Sequence, residues 1–232
     1  MKKKLIVQII NNNSIIYRKN HVDEIKKIYL SIKDKIKFRL DEFNQILKTS
    51  SDEDIFAELV FCILTPQSKA KSCWSAAKNL LYNDLLLKGN ANRVANELSR
   101  VRFRHKKAKY IIEARKTFSS NGQISIKPKI EQLVKNKNER DWLVKNVKGI
   151  GYKEASHFLR NIGLGEKFAI LDRHVLRNLK LLKIIKEIPG SLTKKRYLDI
   201  ENKMKNFADI IKTPISHLDL LLWYKETGEI FK

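Results

Sequence analysis

Two residues of this sequence have types and spacing suited to covalent chemistry: Lys153 and, nineteen residues on, Asp172. A lysine amine is a nucleophile once it loses its proton, and a carboxylate can steady the positive charge that develops when it attacks. Lys153 follows Val147-Lys148-Gly149-Ile150-Gly151-Tyr152, in which two glycines flank one apolar residue. Glycine reaches positive φ without a Cβ penalty, so Gly149-Ile150-Gly151 can turn tightly and leave backbone N–H groups outward. At the start of a helix such N–H groups make a sequence-independent seat for a phosphate, with Lys153 beside it in the first turn.

The elements that must position these residues read as helices. Apolar residues recur mostly at spacings of three and four, and eight glycines and four prolines in 232 residues leave little room for a many-turned β fold. Residues 5–17 are the exception, with Leu5-Ile6-Val7 and Ile15-Ile16-Tyr17 as short strands or extended chain. From Val22 to Leu47 the pattern is helical, with Ile25, Ile28, Leu30, Ile32 and Ile36 on recurrent faces. Ser50-Ser51-Asp52-Glu53 is a helix start and opens the apolar run Ile55 to Leu64, a central core helix. Thr65-Pro66-Gln67-Ser68 is expected to close it and to begin the next helix with Pro66 at the first helical position. Val101 to Tyr110 is a basic run with Phe103 in its middle, either a core aromatic beside a solvated charged face or an exposed wedge. His157, four residues from Lys153, reads as a surface histidine. Asp172 stands where a helix begins, which capping alone would explain; its spacing from Lys153 is what raises it. Tyr197, Ile200, Met204, Phe207 and Ile211 mark an amphipathic helix, and Pro214 starts the last one.

Composition narrows the function class. A formal net charge of +23 argues for a polyanionic partner, nucleic acid being the commonest. The hydrophobic share of 43% is that of a globular protein. Cys62 and Cys73 cannot make a four-cysteine site and read as buried thiols in a reducing compartment. No apolar run is long enough to span a membrane, and the start of the chain lacks the marks of a signal peptide. An intracellular, cytoplasmic protein associated with DNA, with no membrane partner and no metal, is expected.

The stretch Gly149-Ile150-Gly151-Tyr152-Lys153-Glu154-Ala155-Ser156-His157, with Asp172 downstream, resembles the helix-hairpin-helix DNA glycosylases that end their motif in a catalytic aspartate. With Trp223-Tyr224-Lys225, Thr227-Gly228 and Lys232, it is similar to the second, archaeal-type group of 8-oxoguanine DNA glycosylases over roughly residues 50–232. The resemblance implies an all-α, two-lobed fold without an iron–sulfur cluster or other cofactor. A helical barrel over 55–165 would carry the hairpin, and 1–54 plus 166–232 would form the second lobe with the aspartate and a lesion pocket. It implies that Lys153 attacks C1′ and forms a Schiff base, with Lys145, Lys148 and Arg173 as candidate cations lowering its proton affinity. Asp172 would stabilise the cationic sugar, and strand cleavage by β-elimination would follow. Gly149 and Gly151 would hold DNA phosphate, Gln67 would reach into the stack near the vacated base, and Phe103 would be the wedge. For Gln67 a plain polar helix start is the alternative.

Base choice is read from the C-terminal part. Asp219 and Trp223 are four apart, on one helical face, where an indole can stack on a purine and a carboxylate can accept its N–H groups. Oxidation at C8 turns guanine N7 from an acceptor into an N–H donor, so a well-placed acceptor separates lesion from guanine. The resemblance adds that the carboxylate of Lys232 faces the lesion. The expected partner is double-stranded DNA containing an oxidised base, bound by a monomer. The alternatives are the same chemistry on another oxidised base, and a helix-hairpin-helix module that binds DNA without catalysis.

Overall fold

The computed structural model describes residues 5–10 and 13–232, with side chains described from Lys19 onward. Contacts divide the chain into two compact units, one of residues 1–41 with 166–231, the other of 42–165 with Lys232. The sequence boundaries had grouped 42–54 and Lys232 with the first of these.

In the first unit β1 (Leu5–Ile10) and β2 (Asn13–Arg18) form an antiparallel hairpin, Leu5 opposite Arg18 and Ile10 opposite Asn13. Helix α1 (Lys19–Thr49) follows, and the division between units falls within it, after Asp41. Its buried stripe is Val22, Ile25, Tyr29, Ile32 and Ile36, at steps of three and four. Leu30, expected on that stripe, is 78% exposed, because a residue one position past Tyr29 turns away from the buried face.

The second unit is built around α2 (Asp52–Leu64), whose residues from Ile55 to Leu64 are all buried. Ser51 and Asp54 make the reciprocal capping box that starts it: Asp54 N donates to Ser51 Oγ at 3.1 Å and Ser51 N to Asp54 Oδ2 at 3.3 Å. The helix ends in a turn, in which Ser68 N donates to Thr65 O at 3.0 Å and Gln67 has φ 56°. Pro66 is therefore part of the turn and not the first residue of the next helix. A left-handed residue one position on cannot continue a helix, so α3 (Ala70–Tyr82) waits until Lys69 has capped it.

Next come α4 (Leu85–Lys88) and α5 (Ala91–Glu97), capped by Asn90, and then α6 (Arg104–Phe118), which packs on α2; α4 and α5 both lie against α3 and α6. Asn121 and Gly122, both at positive φ, turn β3 (Ser119–Ser120) back onto β4 (Gln123–Ile124), where sequence suggested only a helix end. Then come α7 (Ile126–Lys135), α8 (Glu139–Asn146) and α9 (Tyr152–Asn161). Gly163, at φ +82°, ends α9: its N–H reaches Arg160 O at 3.0 Å and Leu164 N reaches Leu159 O at 2.8 Å. A Cβ there would lie 2.7 Å from Asn44 Cα.

The first unit is completed by α10 (Arg173–Leu181), α11 (Lys194–Ile210) and α12 (Ile215–Thr227). Tyr197, Ile200, Met204, Phe207 and Ile211 are the buried face of α11 and its end, as periodicity predicts. Tyr29 and His217 join α1 to α12 through a 3.0 Å hydrogen bond. Among the described residues no helix is long and apolar enough to cross a membrane.

His157 is buried, not on the surface as expected. The last turns of α9 are enclosed on all sides, and its ring meets Phe61 edge-on, centroids 5.3 Å apart. Burial first, then the charges of Arg160 and Lys153, hold its pKa well below 6.5. An unfolded chain protonates this histidine near pH 6.5 while the folded chain resists, so its contribution to stability is full above that pH and falls as pH drops below it. Thermal melts from pH 7.5 to 5 should show the native protein losing more stability than His157→Phe, which keeps the ring contact; parallel losses would contradict this assignment.

Candidate active site

The hairpin joining α8 to α9 is anchored by Val147 and Ile150, both buried, while Gly149 between them is exposed. Gly149 has φ +85°, and a Cβ on it would stand 2.6 Å from Tyr110 Cδ2. Conformation and close approach thus both demand glycine. Gly151, in extended backbone, caps α9, and its N–H donates to Glu154 Oε2 at 3.1 Å. The expectation of free outward N–H groups therefore needs correcting at Gly151, because the acidic third residue of the helix already takes that donor.

Lys153 Nζ is 3.6 Å from Glu154 Oε1 and donates to Thr65 Oγ1 at 3.3 Å, and its side chain keeps about a fifth of its surface exposed. One carboxylate thus touches both the hairpin and the amine. Lys145 is exposed, and Lys148 is exposed and paired with Glu113 at 2.9 Å, which raises its pKa. Arg173 begins α10 in the first unit. Burial lowers the pKa of the buried Lys107, the charges of Cys73 and Glu154 oppose it, and those of Lys153 and Arg102 add to the lowering.

Gln67 and Phe103, both exposed, occupy the left-handed region at φ 56° and 59°. Phe103 is 54% exposed and not a core residue, with the Arg102 guanidinium 5.4 Å from its ring centre. Their loops are joined. Arg102 N donates to Ser68 Oγ at 3.1 Å, and Lys107 Nζ donates to Leu64 O, Pro66 O and Ser68 Oγ at 2.7, 2.7 and 3.1 Å.

Lys232 has its side chain in the second unit. Its ammonium pairs with Glu58 and lies 3.7 Å from the centre of the Trp74 ring. Burial lowers its pKa, with the Glu58 carboxylate opposing. Glu58, buried inside α2, also accepts from Asn161 Nδ2 at 3.1 Å.

In the first unit Asp172 caps α10, accepting from Val175 N at 2.7 Å. The segment Phe168–Leu171 that leads to it is buried and held by α11. Tyr197 Oη donates to Ala169 O at 2.6 Å and accepts from Leu171 N at 3.3 Å, and Glu201 Oε1 accepts from Ala169 N at 2.8 Å. Asp219 is buried, while Trp223 is half-buried, its ring edge-on to His174 with centroids 5.0 Å apart.

The second unit thus assembles Lys153, Gly149, Gly151, Gln67, Phe103 and Lys232, and the first holds Asp172, Asp219 and Trp223. Four residues assigned no role at the site from the sequence support them: Glu154, Lys107, Glu58 and Tyr197. Only Glu154 carried a signal, since a glutamate three residues after a helix-capping glycine is half of a capping box.

The chain matches the 8-oxoguanine DNA glycosylase family over residues 36–213. It is 48% identical over 215 residues, covering 93% of this chain and 99% of the relative, to a Fusobacterium nucleatum protein named 8-oxoguanine DNA glycosylase/AP lyase. A Methanocaldococcus jannaschii protein of the same name is 39% identical, with 91% and 97% covered. The crystal structure of the M. jannaschii 8-oxoguanine glycosylase/lyase with a 15mer DNA containing 8-oxoguanine superposes with a TM-score of 0.81 at 38% identity, covering 91% of this chain and 99% of that one. The 8-oxoguanine glycosylase of Thermotoga maritima superposes with a TM-score of 0.80 at 35% identity, covering 92% and 99%. This chain belongs to the 8-oxoguanine DNA glycosylase family of helix-hairpin-helix enzymes.

The hairpin geometry generates a test. Gly149→Ala should cost roughly 1–3 kcal/mol of stability through its left-handed backbone, and it should weaken binding to undamaged duplex at low salt. Unchanged binding would remove the hairpin from the DNA contact surface.

Proposed function

We propose that this protein is a bifunctional DNA repair enzyme that excises 8-oxoguanine and then cleaves the strand, with Lys153 as nucleophile and Asp172 as its partner carboxylate. The observation that carries the reading is the placement of Lys153. It is a part-buried amine one turn from a helix-hairpin-helix turn, held by Thr65 and Glu154 in a unit dense with positive charge.

The chemistry follows from that placement. Extruding the base exposes C1′ at a cost of a few kcal/mol. The neutral amine of Lys153 attacks C1′ as the bond to the base breaks, the departing base takes up a proton, and the sugar ring opens to leave a Schiff base on Nζ. Loss of a proton from C2′ then expels the 3′ phosphate by β-elimination. Positive charge develops on the sugar and then on the imine nitrogen, and a carboxylate stabilises both. Asp172 is assigned that role; the segment before it is fixed by the Tyr197 and Glu201 contacts to Ala169 and Leu171, and its own carboxylate accepts from Val175 N at 2.7 Å.

Gly149 is assigned to phosphate contact and Gly151, whose N–H is taken by Glu154, to shaping the hairpin that makes it; Gln67 and Phe103 are assigned to the gap left by the base, and Asp219, Trp223 and Lys232 to the lesion. The exposure and left-handed backbone of Gln67 and Phe103 support their role. The embedded side chain of Lys232 supports a fixed, not frayed, position for that residue. Amine and carboxylate come from one chain, so we infer an enzyme acting as a monomer on DNA, with no membrane partner.

Lys153→Gln removes the nucleophile and retains a side chain able to hydrogen bond to Thr65. Excision from a duplex with one 8-oxoguanine should fall roughly a thousandfold or more, as on loss of other covalent nucleophiles, while affinity for that duplex changes little. Full excision by this variant would overturn the mechanism.

A further inference from the structure

In the basic run Arg102 to Lys107, Lys107 is the residue turned inward, 4% exposed, while Arg102, Arg104, His105 and Lys106 face solvent. We propose that Lys107 is a positioning residue for base extrusion: its buried ammonium locks the Gln67 turn and the Phe103 loop into one rigid two-pronged probe. The proposal rests on the reading that these two side chains enter the DNA.

An ammonium has three donors, and Lys107 uses them on Leu64 O, Pro66 O and Ser68 Oγ. All three acceptors belong to the end of α2 and the turn that presents Gln67. The third, Ser68 Oγ, is also the acceptor for Arg102 N, next to Phe103. One hydroxyl thus ties both prongs to one buried cation, and Lys107 is itself the fourth residue after Phe103, with its N–H on Phe103 O at 3.0 Å.

Each prong is a non-glycine residue in left-handed backbone, a conformation that persists only where its surroundings over-determine it. Burying a charge is a poor way to gain stability compared with an apolar side chain of similar size, but it fixes geometry. The same turn carries Thr65, whose hydroxyl accepts from Lys153 Nζ. Probe and nucleophile are therefore set on one short stretch of backbone, so a looser turn would mislay the prongs relative to the amine that must meet C1′.

The test compares two duplexes, one with paired 8-oxoguanine, which must be extruded, and one with a preformed abasic site, which needs no extrusion. Rates are taken per active molecule, counted by borohydride trapping on the abasic duplex, so simple loss of folded protein cancels. Lys107→Met should slow excision of the paired lesion by about tenfold or more, a barrier change of the size of one lost charged hydrogen bond. Schiff-base formation on the abasic duplex should fall by less than about threefold, within the scatter expected for a group outside the reacting centre. Ser68→Ala, a milder change should Lys107→Met fold poorly, should show the same pattern at smaller size. Adding Lys107→Met to Phe103→Ala should slow the paired lesion little further, as coupled residues do.

Equal slowing on both duplexes, or additive effects in the double variant, would overturn the proposal. So would an unimpaired Lys107→Met beside impaired Phe103→Ala and Gln67→Ala, leaving the DNA-entry reading intact. If Phe103→Ala and Gln67→Ala both leave excision of the paired lesion unchanged, the DNA-entry reading falls, and the brace with it.

Discussion

The end of α2 is the constraint on which the second unit's chemistry depends. A helix leaves its last carbonyls without intrahelical partners and with the negative end of its dipole exposed. Here that end is closed by cations. Lys107 reaches Leu64 O and Pro66 O, and Lys153 reaches the Thr65 hydroxyl between them. Cys73 Sγ adds a contact to Leu64 O at 3.2 Å. Lys153, the proposed nucleophile, thus rests on the C-terminal end of the most buried helix in its unit, a rigid platform. Glu154 then connects the amine to the hairpin through Gly151, so the hairpin turn and Lys153 Nζ share one carboxylate.

Buried charge recurs earlier along the same helix. Glu58 lies among the buried apolar residues Ile55 to Leu64 of α2 and is satisfied by Asn161 and by Lys232, the latter seated against Trp74. An unpaired carboxylate there would cost several kcal/mol, so these partners are a condition of the fold rather than an addition to it. His157 sits in the same interior, where burial first, and then the charges of Arg160 and Lys153, hold its pKa well below the ordinary value. The consequence is that the interior around Lys153 holds its charges in fixed positions, the arrangement that electrostatic stabilisation of a charged transition state requires.

Much of this was legible in the sequence because it is local. The helix start at Ser50–Glu53, the buried face of α11 and the Gly149-Ile150-Gly151-Tyr152-Lys153 hairpin follow from residues within a few positions of one another. The Asp172 cap is equally local, which is why position alone could not separate capping from chemistry. What escaped depends on contacts distant in sequence. Lys107 is one cation among several until α6 is set against the α2 turn some forty residues earlier. Leu30 and His157 each sit on an amphipathic pattern whose phase is decided by the neighbours that cover it. Pro66 looked like a helix start because the left-handed Gln67 that follows has no side-chain signature.

The central claim is that Lys153 forms the bond to C1′. Borohydride reduction of the protein with an 8-oxoguanine duplex, followed by nuclease and protease digestion and mass spectrometry, would locate the attached sugar residue on the chain. The account predicts the added mass on the peptide carrying Lys153. The same mass on a peptide carrying Lys107, Lys148 or Lys232 instead, or on the chain's N-terminal amine, would contradict it.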